Sequence, residues 1–148
     1  MNLVDFHGLV KSCMAKSNCV RKQVGAVVVR GGNVISSGWN GVALFADCRE
    51  ARCRWCSSDG PLGMGYDRCI CRHAEQAAIG EAARRGVSTN GAIMYSSLRP
   101  CMNCVKLALM CGISEMHYEE TWDYMDRELE ESYAVLARQF SVFKCVTK

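Results

Sequence analysis

Two short runs carry the residue types and spacing of a metal-assisted acid–base centre: His73-Ala74-Glu75 and Pro100-Cys101-Met102-Asn103-Cys104. Each opens a segment of helical composition. Cys101 and Cys104 share one face of a first helical turn, and Pro100 stands where a missing N–H costs little. The free amides of that turn favour anionic ligands such as thiolates. His73, from the neighbouring helix start, supplies a third ligand and leaves a fourth tetrahedral position for water. Three protein ligands with one open position mark a catalytic zinc, whereas structural zinc is closed by four. Glu75 follows His73 closely enough to reach the open position without being a ligand. Such an ion lowers the pKa of a bound water to about 7. The carboxylate can then take up and return that water's proton as a general acid–base group.

The chain has eleven cysteines in 148 residues, an odd number. Cys48, Cys53, Cys56, Cys69 and Cys71 crowd one segment, which in a reducing compartment points to metal rather than cystine. Cys13, Cys111 and Cys145 sit among apolar neighbours and read as small buried thiols.

The elements that must position these groups follow from periodicity. Leu3, Phe6, Leu9, Val10, Cys13 and Met14 recur at helical spacing and predict an amphipathic helix over residues 3–17. Val24–Arg30 and Val34–Trp39, separated by a glycine turn, predict a hairpin. His73–Arg85 reads as a helix stopped by Gly86, and Cys101–Cys111 as a helix stopped by Gly112. Strands are expected at Ala92–Ser97, Ser114–Tyr118 and Ser141–Val146, with a further helix over Tyr124–Arg138. The fold class predicted is α/β, a sheet with helices on both faces. Gly41–Arg72 has little periodicity, a Gly60-Pro61 break and scattered large apolar residues, so it needs a cross-link to stay ordered. Four cysteine thiolates around one zinc would carry about −2, and Arg49, Arg52, Arg54, Arg68 and Arg72 offset it. Spacing alone does not say which thiols bind or how many ions share them.

Composition bounds the rest. The length suits one domain spanning residues 1–148, with the cysteine-rich insert at about 41–72. A hydrophobic share of 49% and a charged share of 22% are those of an ordinary globule. The longest aliphatic run, Ala26–Val29, excludes a membrane span. The Asp and His within Met1–Lys11 argue against a signal peptide, so the expected location is cytoplasmic. A net charge of +3 is too mild to predict nucleic-acid binding.

His-x-Glu followed by Pro-Cys-x-x-Cys is the general signature of zinc nucleobase deaminases. Over nearly its whole length the chain resembles the deoxycytidylate (dCMP) deaminases of the cytidine-deaminase superfamily. The resemblance rests on Ser17–Val27, Gly38-Trp39-Asn40-Gly41, His73-Ala74-Glu75-Gln76, Gly86-Val87-Ser88, Pro100-Cys101-x-x-Cys104 and Cys111-Gly112-Ile113. It implies a three-layer fold with a mixed five-stranded sheet, a homo-oligomer (a hexamer foremost), and dCTP and dTTP as effectors. It implies that Asn40 holds the sugar or base, that Val24 and His73 flank the ring, and that the Ala74 amide meets the base carbonyl. Arg21, in the Ser17–Lys22 loop, lies toward the 5′-phosphate. Cys19, Cys48, Cys53 and Cys69 fall on cysteines of bacterial and phage members, so with Cys56 and Cys71 six thiols are candidates for structural zinc.

Three positions depart from the family pattern. Ala77 stands for a usual Asn, Arg99 for a small Ser, and Trp122 for a Tyr lining the substrate pocket. Arg99 is expected to add charge and bulk beside the zinc site, and Trp122 to reshape the pocket toward a modified cytosine. The function expected is hydrolytic deamination of dCMP, or of a 5-substituted dCMP, to the uracil nucleotide and ammonia. Zinc is the cofactor, with one catalytic ion and at least one structural ion. Two rivals carry different outcomes. A tRNA adenosine deaminase shares the zinc motif, and the basic insert suits a phosphate backbone, but aromatics are sparse there. A zinc-stapled binding module would have no use for Glu75.

Overall fold

The valine-rich run forms β1 (Gly25–Arg30), buried from Gly25 through Val29, and turns at Gly31 and Gly32 into β2 (Asn33–Trp39). Both turn glycines have positive φ, 59° and 79°, as a tight two-residue hairpin requires. The computed structural model describes residues 5–60 and 68–146. Upstream of the hairpin lies α1 (Phe6–Met14), and downstream follow α2 (Ala74–Arg84), β3 (Ile93–Leu98), α3 (Met102–Met110), β4 (Glu115–Glu120), α4 (Arg127–Ala137) and β5 (Val142–Cys145). The five strands form one sheet in the order β2-β1-β3-β4-β5. β1 is antiparallel to both β2 and β3, while β3, β4 and β5 are parallel. The expected mixed five-stranded sheet is the one observed.

Alternation along the strands divides the core between two faces. Val27 and Val29 pack with Val10 and Cys13 of α1 and with Tyr95. Ala26, Val28, Met94 and Met116 face the other way, onto Ala74 and Ala78 of α2, Val105 and Ala108 of α3, and Tyr133 of α4. Helices therefore cover both faces, one on the first and three on the second.

Several boundaries shift for local reasons. The expected start of the first helix at Leu3, and the Pro61 half of the Gly60-Pro61 break, lie outside the described residues. Within them, Asp5 caps α1 by accepting from the Gly8 amide at 3.0 Å. The last helix begins at Arg127, not Tyr124, because Asp126 is its N-cap and accepts the Leu129 amide at 3.1 Å. Cys13 is buried as expected, but Cys111 and Cys145 are only half-buried. No helix among the described residues is long and apolar enough to cross a membrane.

The position of α2 is set by an absent side chain. A Cβ on Gly38 would clash with the Ala78 amide nitrogen and lie 2.5 Å from the Ala74 carbonyl and 2.9 Å from the Ala77 carbonyl carbon. These are backbone atoms, which cannot swing aside. Gly38→Ala should therefore destabilise the protein by about 3 kcal/mol, the upper end for overpacking, although alanine is otherwise the better strand residue. Urea unfolding checks this, and a loss of zinc content should accompany it because α2 carries His73.

Candidate active site

His73 and Cys101 are the N-cap residues of α2 and α3, both with extended backbone. Capping by such residues leaves their side chains beyond the first turns, where two helix N-termini converge at the C-terminal end of β3. The His73 amide donates to Gln76 Oε1 at 2.9 Å, which fixes the start of α2. The Tyr124 hydroxyl accepts the Met102 amide at 2.7 Å, satisfying an otherwise orphaned donor at the start of α3. Between these starts, His73 Nδ1 lies 3.3 Å from both Cys101 Sγ and Cys104 Sγ.

The three donor atoms fit one tetrahedral zinc. Zn–N of about 2.0–2.1 Å and Zn–S of about 2.3 Å place such donors about 3.6 Å apart. Their electrostatics suit a cation as well. Hydrogen bonding from Cys104 and from His73 holds the Cys101 thiol down at about 4, against the opposing effect of burial. Cys104 is held well above the usual thiol value, first by its hydrogen bond to Cys101 and then by burial. Burial pushes the His73 imidazole down, but the hydrogen bond and charge of Cys101 outweigh it and raise it to about 9. A thiol held low beside a second thiol and an imidazole is a donor set that suits a cation.

Glu75 lies in the first turn of α2 and is 4% exposed. Burial pushes its carboxyl up, against the lowering influence of His73 and of a 2.7 Å hydrogen bond from Ser96 Oγ to Oε1. Ser96 is the site residue that sequence reasoning missed. It pairs with Ala26 across the sheet and shares a strand face with Met94 and Leu98, so β3 turns it toward the helices. A lone hydroxyl on the core face of an apolar strand was the available signal, since a buried polar group needs a partner.

One pocket is lined by His73, Ala74, Glu75, Cys101, Val24, Asn40, Arg21 and Trp122, bringing together the residues expected around a substrate. Leu98 and Lys22 also line it. The Asn40 carboxamide is already engaged in positioning the wall: Oδ1 accepts from Ser17 Oγ at 2.6 Å and from the Val24 amide at 2.8 Å, and Nδ2 donates to the Lys22 carbonyl at 2.6 Å. The Arg21 guanidinium lies over the Trp55 ring, 4.6 Å from its centroid, and Nη1 donates to the Trp55 carbonyl at 2.9 Å.

The insert is closed at its base by reciprocal bonds between Gly41 and Arg72, of 3.1 Å and 2.9 Å. Asn18 pins it to the loop before β1, giving Nδ2 to the Val42 carbonyl and taking the Val42 amide, both at 2.8 Å. This clasp carries Cys19 to the insert thiols. Cys19, Cys56, Cys69 and Cys71 reach the pocket wall, and Cys48 and Cys53 lie buried behind them. Arg49, Arg52, Arg54, Arg68 and Arg72 are all exposed around this thiol core.

Residues 3–120 match the cytidine and deoxycytidylate deaminase zinc-binding region. The chain belongs to this deaminase family. It is 38% identical over 128 residues to the deoxycytidylate deaminase of Schizosaccharomyces pombe, which covers 84% of this chain and 39% of the relative. With the deoxycytidylate deaminase of Saccharomyces cerevisiae it shares 36% identity over 143 residues, 92% of this chain and 44% of the relative. The chain thus spans less than half the length of these two fungal relatives. The dCMP deaminase of cyanophage S-TIM5, solved in complex with dCMP and dUMP, superimposes with a TM-score of 0.67 at 22% identity over 99% of both chains, a likeness of fold.

Against the family pattern, Ala77 sits on α2 away from the pocket wall, its amide bonded to the His73 carbonyl at 2.9 Å. Arg99 lines the pocket beside the zinc donors, as expected, but its charge is paired. Its guanidinium is turned toward α4, where Nη2 meets Glu130 Oε1 at 2.5 Å and Nη1 meets Glu130 Oε2 at 3.2 Å and Asp123 Oδ1 at 3.4 Å. Nη1 also donates to the Trp122 carbonyl, and the Arg99 carbonyl accepts Trp122 Nε1 at 2.7 Å. Arg99 stacks over Tyr133, 4.0 Å from the ring centroid. In this family member the arginine anchors the segment that carries the pocket tryptophan.

Partial burial pushes Glu130 up, but hydrogen bonds from Arg99 and from the Tyr124 amide outweigh it and leave the carboxyl below its ordinary value. A depressed carboxyl contributes stability that is present above the unfolded value of about 4.3 and is lost as pH falls through the lower folded value. Glu130→Gln should lower stability at pH 7 by about 1–2 kcal/mol. It should also flatten the acid-induced loss below about pH 4.3. Thermal unfolding at stepped pH measures both, and an unchanged acid slope would contradict the assignment.

Proposed function

We propose that this chain is one deaminase domain that converts dCMP, or a 5-substituted dCMP, to the matching uracil nucleotide and ammonia by zinc-dependent hydrolysis. The observation that carries this reading is the buried Glu75 carboxyl beside the His73, Cys101 and Cys104 donors, opening onto one pocket. The deoxycytidylate deaminases among its relatives support the substrate class. When bound by His73, Cys101 and Cys104, zinc supplies a water-derived nucleophile at neutral pH.

The remaining steps belong to the chain itself. Glu75 takes a proton, delivers it to the ring nitrogen and helps protonate the departing amine. Ser96 occupies Oε1, so the transferred proton is carried on Oε2. Burial that raises the carboxyl toward neutrality suits a group that must hold a proton between steps. The Ala74 amide, at the start of α2, is a donor for the base carbonyl. Val24, Leu98 and Trp122 give the ring apolar walls, and Asn40 braces the Val24 side. Arg21 and Lys22 supply positive charge on the side where a 5′-phosphate would sit. A structural zinc in the insert holds the loop that presents Arg21. The homo-oligomer, a hexamer foremost, and dCTP and dTTP effectors complete the proposal, and gel filtration with and without each nucleotide tests them.

Glu75→Gln should keep its zinc and lose turnover by about 10²–10⁴-fold or more, since one carboxylate serves several proton transfers. Wild-type turnover at full zinc occupancy would refute the mechanism. A panel of dCMP, 5-methyl-dCMP, 5-hydroxymethyl-dCMP, deoxycytidine and a tRNA anticodon stem, read by ammonia release, tests the substrate. Charge-assisted hydrogen bonds contribute about 1.5–3 kcal/mol each, so dCMP should exceed deoxycytidine at least about tenfold in kcat/KM. Equal rates would overturn the nucleotide assignment, and activity confined to the RNA would make the protein a tRNA editor. Trp122→Tyr should shift preference among the 5-substituted nucleotides while retaining dCMP turnover.

A further inference from the structure

The thiols of the insert and of the loop before β1 form two overlapping quartets. Cys19, Cys48, Cys56 and Cys71 have their sulfurs within 4.8 Å of one another, and so do Cys53, Cys56, Cys69 and Cys71. Cys56 and Cys71 belong to both quartets and lie 3.8 Å apart. Cys56 Sγ is 3.6 Å from Cys19 Sγ in the first quartet and 3.4 Å from Cys69 Sγ in the second. Cys53 and Cys69, both of the second quartet, are 3.8 Å apart.

Three arrangements of such thiols can be compared. A disulfide brings its sulfurs to about 2.05 Å, far closer than any of these pairs, and all six cysteines are free. Ordinary core cysteines pack as small hydrophobes, but here sulfur borders sulfur, with few apolar side chains around the group. A tetrahedral zinc with Zn–S of about 2.3 Å keeps its sulfurs about 3.8 Å apart, the spacing observed. One ion would use four of the six thiols and leave two more thiols beside it, at least one of them buried. Two ions in tetrahedra that share an edge use all six.

Charge does not oppose the second ion. One zinc in four thiolates carries about −2, and two zinc ions in six thiolates also sum to about −2. Each quartet has a backbone donor to a thiol that only it contains: the Val20 amide to Cys48 Sγ at 3.2 Å, and the Cys56 amide to Cys53 Sγ at 3.5 Å. Such N–H donors stabilise metal-bound thiolates.

We propose that the insert holds a binuclear zinc cluster in which Cys56 and Cys71 bridge the ions, Cys19 and Cys48 complete one ion, and Cys53 and Cys69 complete the other. This deepens the reading of the insert as zinc-binding and does not depend on the reaction. Binding exchanges thiol protons for metal and changes no oxidation state. Arg21 follows Cys19 closely and Trp55 precedes Cys56, so the bridged cluster fixes both members of the stacked pair on the pocket wall.

The test uses the full chain. Zinc analysis of protein purified without added metal should give three ions per chain, one for each donor group. Protein loaded with cadmium-113 should give three cadmium resonances. Two should lie in the all-sulfur region and be split by mutual coupling through the bridging sulfurs. The third, from His73, Cys101 and Cys104, should be uncoupled. Cys53→Ser removes a terminal ligand of one ion only and should lower the zinc count by one. Two ions per chain with a single all-sulfur resonance overturns the binuclear cluster and leaves the catalytic ion standing. A coupled pair without the third resonance upholds the cluster and refutes the catalytic ion instead. If Cys53→Ser does not fold, wild-type stoichiometry and coupling decide the matter.

Discussion

His73 and Cys101 cap neighbouring helices, and their side chains converge at 3.3 Å only because α2 lies against the sheet at backbone contact distance. Gly38 on β2, Ala26 on β1 and Ala74, Ala78 and Ala82 on α2 are small and fully or almost fully buried along this contact. A larger residue at any of them would lift the helix and separate donors whose metal chemistry tolerates a few tenths of an ångström. The same convergence buries Glu75 between the helix and β3, where Ser96 can reach it. Burial, in turn, raises the carboxyl and suits it to proton transfer. Packing of small side chains thus sets both the burial of the Glu75 carboxyl and the approach of the candidate metal donors.

A second, polar layer supports the opposite wall. Arg99 is buried, and its charge is matched by Glu130 at the start of α4 and by Asp123. Breaking one partner of a buried ion pair is costly because the other is left uncompensated. That cost keeps α4, the Trp122 segment and the start of α3 in one arrangement. Tyr124 adds the α3 cap, and the Tyr133 hydroxyl donates to the Pro100 carbonyl at 2.5 Å. The loop entering the Cys101 helix is therefore held from both sides.

The insert follows a different physical logic. Among the described residues of Gly41–Arg72 the buried ones are almost all cysteines, and the arginines around them are exposed. Hydrogen bonds at its base, from Gly41 to Arg72 and through Asn18, orient it against the site. The order of its interior comes from thiols whose sulfurs lie at metal-ligand spacing. It shares a wall with the pocket that holds Glu75 and the His73 and Cys101 donors.

Much of this was legible in the residues themselves. Periodicity, composition and start or stop residues placed the elements to within a few residues among the described residues, because those signals are local to each segment. His73, Glu75, Cys101 and Cys104 could be paired because His-x-Glu and Pro-Cys-x-x-Cys together form a known zinc signature, each run opening a helix. What only the tertiary structure decided were contacts between segments far apart in the chain. Ser96 reaches Glu75 across the space between a strand and a helix. Arg99, a departure from the family pattern expected as a charge beside the metal, lines the pocket but has that charge paired by an acid thirty-one positions later. Cys56 and Cys71 are shared between two quartets because the insert folds back onto the loop before β1. Local periodicity is a property of short segments, whereas the partner of a buried charge or thiol is set by which segments the core brings together.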